Sequence, residues 1–141
     1  MTTVRHVARA FGSTSSSVPA YRVDLHVGPH QLVADEPTAA GGGGVGPAPF
    51  GLLLSGLAAC TAMTLRMYAA RKGWALTSID VDVRYDITDD GRGAIERKII
   101  VPTDLPADQR DGLAEIAERT PVTVAVQAGT PITTTIEPGP P

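Results

Sequence analysis

The clearest periodicity runs through residues 78–88, where Ile79, Val81, Val83, Tyr85 and Ile87 alternate with Asp80, Asp82, Arg84, Asp86 and Thr88. A period of two sends the apolar side chains to one face and the charges to the other, as in an antiparallel sheet with one wet face. "DDGRG" supplies a turn, and "AIERKIIV" returns as the second strand of a hairpin. On the return strand Ile95, Ile99 and Val101 share a face with Arg97, which aims a cation toward the apolar side. "HVARAF" and "YRVDLHV" also read as strands, joined by the Ser-rich "GSTSSSVP" as a flexible connection. "VGPH" turns into a short strand, "HQLVA", and "PITTTIEP" reads as a last strand before a frayed tail at about 137–141.

Two stretches change to a helical pattern. The first starts at Pro49, where the missing N–H costs nothing, and ends at Gly73 after Arg71 and Lys72. Its opening turns, "PFGLLLSGLAAC", carry no charge on any face. A helix apolar all round must be buried all round, and one small sheet covers one side, so a partner subunit is expected on the other. The second helix, "LPADQRDGLAEIAERTP", has Pro106 in its first turn, Pro121 as its stop, and a buried stripe of Leu113, Ile116 and Ala117. Thr120 follows that stripe and is expected in or beside the core. Between "DEPT" and the long helix, "AAGGGGVGPAP" is expected to be neither strand nor helix but a flexible connection. With no internal repeat, residues 1–141 read as a single domain.

Composition narrows the function classes. A net charge of −3 argues against a nucleic-acid partner, and aromatics at 4% leave little for stacking bases or sugars. "MTTVRHVARAFG" lacks an apolar core of signal-peptide length, and residues 49–65 are too short and mixed for a membrane span, so a soluble, cytoplasmic protein is expected. Gly41, Gly43 and Gly46 match a dinucleotide fingerprint in spacing only, because Pro37 separates them from the preceding strand and no βαβ unit follows. His26 and His30, with Asp35 and Glu36 nearby, lack a third ligand at firm spacing, so no metal and no resident cofactor is expected.

The one cysteine, Cys60, excludes an intramolecular disulfide and a multi-cysteine metal knuckle. It lies mid-helix, with Leu53, Gly56, Leu57, Met63, Thr64 and Met67 as neighbours on a helical wheel. An apolar surround disfavours a thiolate, and the helix dipole has faded by this depth. Reactivity would require a cation from another element or another subunit; without one, Cys60 is a core residue.

The run "DEP…GGGGVGPAPFGLLLSGLAACTAMTLRMYAARKGW", the hairpin and "LPADQRDGLAEIAERTPV" together resemble the OsmC/Ohr family, over about residues 32–136 and closest to its OsmC-like branch. The resemblance implies an α+β fold in an intertwined homodimer, with antiparallel sheets around two long central helices, and action on organic hydroperoxides in oxidative-stress defence. It implies that Cys60 is the peroxidatic thiol and that a second cysteine resolves its sulfenic acid. Here Thr120 stands in the resolving position, in "AERTPV", and cannot form a disulfide. The family's "PxELL" glutamate is replaced by Gly51, and Arg9 and Arg22 do not match its thiolate-activating arginine, which leaves Arg97 as a positional candidate.

Two readings follow. In one, the protein is a one-cysteine thiol peroxidase: Cys60 reacts with a small apolar hydroperoxide in a pocket of Leu53, Leu57, Met63 and Met67, and an external thiol restores it. In the other, the dimer binds a small apolar ligand at its interface and Cys60 is structural.

Overall fold

The computed structural model describes residues 2–140, so the last residue of the expected frayed tail, Pro141, lies outside the described residues. Its contacts group into two compact units, one through Leu54 and one from Ser55 onward, with the boundary inside the long helix.

The first unit is a three-stranded antiparallel sheet, β1 (Phe11–Ser13), β2 (Val23–Val27) and β3 (His30–Ala34), in that order. Gly28, at φ 58°, makes the tight β2–β3 turn, so Val27 pairs with His30. β1 is shorter and later than "HVARAF" suggested. Pairing begins at Phe11↔His26, and at Gly12 a Cβ would approach the methyl carbons of Leu25 and Val23 to 3.2 and 3.3 Å. Val4 and Val7 upstream stay exposed.

The Gly-rich segment is wrapped around one carboxylate, which corrects its reading as a flexible connection. Asp35, buried, accepts hydrogen bonds from the backbone N–H groups of Glu36, Gly43 and Val45 at 2.8, 3.0 and 3.4 Å. A 3₁₀ turn, Thr38–Ala40, opens the wrap, where no helix was expected. Gly42 and Gly46 are required by close approach: a Cβ would lie 1.9 Å from the Glu36 carbonyl oxygen and 2.2 Å from that of Val33.

Helix α1 (Pro49–Lys72) has the predicted extent. At 1.5 Å per residue it is about 36 Å long. Gly73, at φ 69°, ends it in a Schellman arrangement, with Gly73 N–H donating to Ala70 O and Trp74 N–H to Ala69 O.

In the second unit, β4 (Asp80–Ile87) and β5 (Gly93–Ile100) form the predicted hairpin, in register from Asp80↔Ile100 to Ile87↔Gly93. The wet face carries Arg84, paired with Asp86 and Glu96 at 2.8 and 2.9 Å; the hydrogen bond to Asp86, then the charges of Asp86 and Glu96, raise the pKa of its guanidinium. In the turn, hydrogen bonds from Thr88 and then Arg92 hold the Asp90 carboxyl below its ordinary range. The apolar face packs through Ile79, Ile99 and Val101 on the core of Leu65, Leu105, Leu113 and Ala117. Full burial of each such leucine contributes roughly 2 kcal/mol. Trp74 meets Tyr68 edge-on, with ring centroids 5.5 Å apart.

Helix α2 (Ala107–Ala117) ends four residues before Pro121. Pro121 does not stop a helix but starts one: α3 (Pro121–Ala128), with Thr120 at its N-cap and Gly129 in the left-handed region at its end. The stretch "PITTTIEP" forms no strand; Ile132 and Ile136 are exposed. β-branched residues favour a sheet only where an edge is available to pair with, and no described strand pairs there.

Candidate active site

α1 buries a single stripe in the second unit, Leu57, Thr61, Leu65 and Ala69, spaced four apart. Thr61 is a hydroxyl in an otherwise apolar row, and its presence is explained by the strand opposite. Arg97, on the apolar face of β5 and only 11% exposed, donates from Nη1 to Thr61 Oγ1 at 3.0 Å and to Thr123 Oγ1 at 2.7 Å. Its Nη2 donates to the carbonyl of Ala117, at the end of α2, at 3.0 Å. Thr61 in turn donates to Leu57 O at 2.7 Å. Thr123 shares a 2.6 Å hydrogen bond with Thr120, which is wholly buried.

This is a neutral cradle for a buried cation: two hydroxyls and one carbonyl, with a third hydroxyl behind them. Among the described residues no buried side-chain polar atom lacks a partner. The nearest counter-charge is Glu118, whose Oε1 lies 3.6 Å from Nη2 and whose side chain is mostly exposed. Burying a cation costs several kcal/mol unless it is hydrogen-bonded, and the cradle meets most of that cost.

Cys60 stands one residue before Thr61, hence about 100° around the helix from the buried stripe. It is half-buried, and its Sγ has one partner, the weak contact with Thr64 Oγ1 at 4.0 Å. Arg97, the candidate thiolate partner, gives its hydrogen bonds to Thr61, the residue after the cysteine, to Thr123 and to the Ala117 carbonyl. Of the other two arginines weighed for that role, Arg9 and Arg22, the second is paired with Asp24 at 3.0 Å.

The residues expected to line one pocket are divided. Leu57 lines a cavity of about 490 Å³ whose wall includes Arg97, Glu118 and Thr123. Met63 and Met67 line a shallow groove with Ala62, Arg66 and Ala70 on another face of α1. Leu53 is exposed and lines neither. Thr120 was expected in or beside the core and is there, but as the N-cap of α3 rather than as a continuation of α2. Thr61 and Thr123 were not singled out from the sequence. The available signals were a cation on an apolar strand face, which demands buried acceptors, and the Thr-Pro pair that caps a helix.

Comparison with known proteins places this geometry. The family model described as OsmC-like protein matches residues 41–135, more than half of the chain. None of the curated proteins matches in sequence. Among solved structures, an OsmC-like protein from Mycoplasma pneumoniae superposes with a TM-score of 0.69 at 18% identity, over 89% of this chain and 91% of that one. An organic hydroperoxide resistance protein OsmC from Legionella pneumophila gives 0.63 at 19% identity, over 89% and 92%. The organic hydroperoxide resistance protein OhrB of Bacillus subtilis gives 0.59 at 21% identity, over 88% and 93%. At these identities the structural matches establish a shared fold, while the family match covers the long helix with Cys60, the hairpin with Arg97 and the Thr120 turn together. The chain belongs to the OsmC family.

Proposed function

We propose that this protein is a one-cysteine thiol peroxidase acting on organic hydroperoxides, with Cys60 as the reacting group. The observation that supports the reading is that Cys60, the one cysteine, lies on α1 within the stretch the family model matches and is half-buried rather than sealed in the core; the family resemblance implies the peroxidatic role. The Cys60 thiolate attacks the distal peroxide oxygen; an S–O bond forms, the O–O bond breaks, and the alcohol leaves with a proton. Thr120 offers no thiol to the resulting sulfenic acid, so an external thiol condenses with it, releasing water, and a second thiol reduces the mixed disulfide. Such thiols are abundant in a reducing cytoplasm, the compartment that suits a lone unpaired cysteine.

Activation needs a cation near Cys60; the hydrogen bonds of Arg97 go to Thr61, Thr123 and Ala117, and a homodimer is the further source that the family resemblance implies. Met63 and Met67 are 62% and 55% exposed in the single chain, which leaves an apolar face of α1 for a second copy to cover. By length and composition α1 is also apolar enough to cross a membrane, with a mean hydropathy of 1.4. Arg66, in the same groove as Met63 and Met67, argues for a protein partner, because hydrocarbon penalises a cation that an interface can pair.

The hydrogen bonding of Arg97 favours a second reading, a binding scaffold with an inert Cys60. Peroxide consumption separates the two. With cumene hydroperoxide and a dithiol reductant, the wild type is expected to turn over and Cys60→Ser to fall to the uncatalysed rate. Equal rates for both proteins would leave the scaffold reading standing.

A further inference from the structure

We propose that the cavity beside Arg97 is a binding site for a small carboxylate with an apolar body, whose carboxylate displaces that of Glu118. The site is separate from Cys60, which is not among the residues lining the cavity. At about 490 Å³ the space is within the range of small-molecule sites, and it has the usual division of such sites into an apolar wall and a few convergent polar groups. Leu57, Ile95 and Val126 form the apolar part; Arg97, Thr123 and Gln127 form the polar part.

The chemistry of the ligand follows from the state of Arg97. A guanidinium has five N–H donors, and the hydrogen bonds to Thr61, Thr123 and Ala117 use three. All three acceptors are neutral, so among the described residues the charge itself is answered by Glu118 alone. That answer is incomplete: at 3.6 Å the Glu118 oxygen is beyond good hydrogen-bond distance, and the side chain is 66% exposed. Water screens a carboxylate held that way, and its loss to solvent costs little. A ligand carboxylate entering from the cavity would meet the same guanidinium with its apolar part against Leu57, Ile95 and Val126, out of water. Glu118 therefore marks the anion position with the chain's own carboxylate and is a weak competitor for it. An amine is repelled by the cation, and a neutral alcohol can accept one hydrogen bond but brings no opposite charge, so the arrangement favours acids.

The test compares octanoate, octanol and octylamine by calorimetry and by methyl NMR on the full chain. Octanoate is expected to bind, with shifts at Leu57, Ile95 and Val126, and the other two to bind at least about tenfold more weakly. Glu118 is exposed, so Glu118→Gln should fold normally; removing the competing charge is expected to tighten octanoate about fivefold. Val126→Trp, which fills the cavity, should abolish binding, whereas Cys60→Ser should leave octanoate affinity unchanged. The proposal is overturned by octanoate binding no tighter than octanol, by shifts confined to Met63 and Met67, or by an affinity that Glu118→Gln leaves unchanged or weakens.

Discussion

Arg97→Met is expected to destabilise the protein by about 3 kcal/mol, more than an exchange at any exposed arginine. Methionine retains much of the aliphatic stem, so the loss isolates the guanidinium. Three acceptors lose a charged donor, but not all are orphaned. Thr61 still donates to Leu57 O, and Thr120 and Thr123 still share their hydrogen bond. The Ala117 carbonyl is left without the Arg97 bond, and each hydroxyl loses one hydrogen bond from a charged donor, worth about 1.5–3 kcal/mol where nothing replaces it. Partial re-pairing brings the net down to the stated value. Arg97→Lys keeps the charge but cannot span Thr61, Thr123 and Ala117 with one planar fork, so about half the loss is expected. Urea denaturation reads both: the midpoint should fall in the order wild type, Lys, Met, with the slope unchanged. A midpoint for Arg97→Met equal to that of the wild type would mean that the cradle does not hold the unit together.

Asp35→Ala is the second large effect, again about 3 kcal/mol, and it acts in the other unit. The carboxylate collects three backbone N–H groups from Glu36, Gly43 and Val45, and alanine leaves them without an acceptor in a segment whose glycines are pressed against carbonyls. Asp35→Asn discriminates between charge and hydrogen bonding. Its single oxygen can serve Glu36 or the Gly43 and Val45 pair, and its NH₂ then faces donors, so about 2 kcal/mol is expected. Hydrogen exchange at Gly43 and Val45 should accelerate in both variants before the rest of the protein responds. Protected amides there in Asp35→Ala would contradict the role assigned to the carboxylate.

These two residues also mark where the sequence was legible. The β4–β5 hairpin and α1 were readable because a strict period of two and a long capped apolar run each have one physical solution. The side to which Arg97 points was readable for the same reason. Its partners were not, because Thr61 looks like any small helix residue until the strand that crosses it is known. α3 was hidden by a proline read as a stop; with Thr120 before it and Gly129 after it, the same proline is a start. "PITTTIEP" failed in the opposite sense, since its β-branched residues supply propensity but no neighbouring edge. The glycine run carried no signal that Asp35 would organise it, because a buried carboxylate among backbone donors depends on chain geometry rather than on residue pattern. Cys60 stood out as the one cysteine and Thr120 as the residue after the α2 stripe; their paired roles came through family resemblance, and the spatial relation of Thr120 to Thr123 and Arg97 came only from the fold.

The central claim is that Cys60 reacts with peroxide and stops at an oxidation state that no second cysteine can capture. Intact mass after stoichiometric cumene hydroperoxide, with a sulfenic-acid trap present, tests it most directly, beside a Cys60→Ser control. One trap adduct per wild-type chain, formed rapidly, and none in the control is the expected result. An unmodified wild-type mass after long exposure to excess peroxide would contradict it.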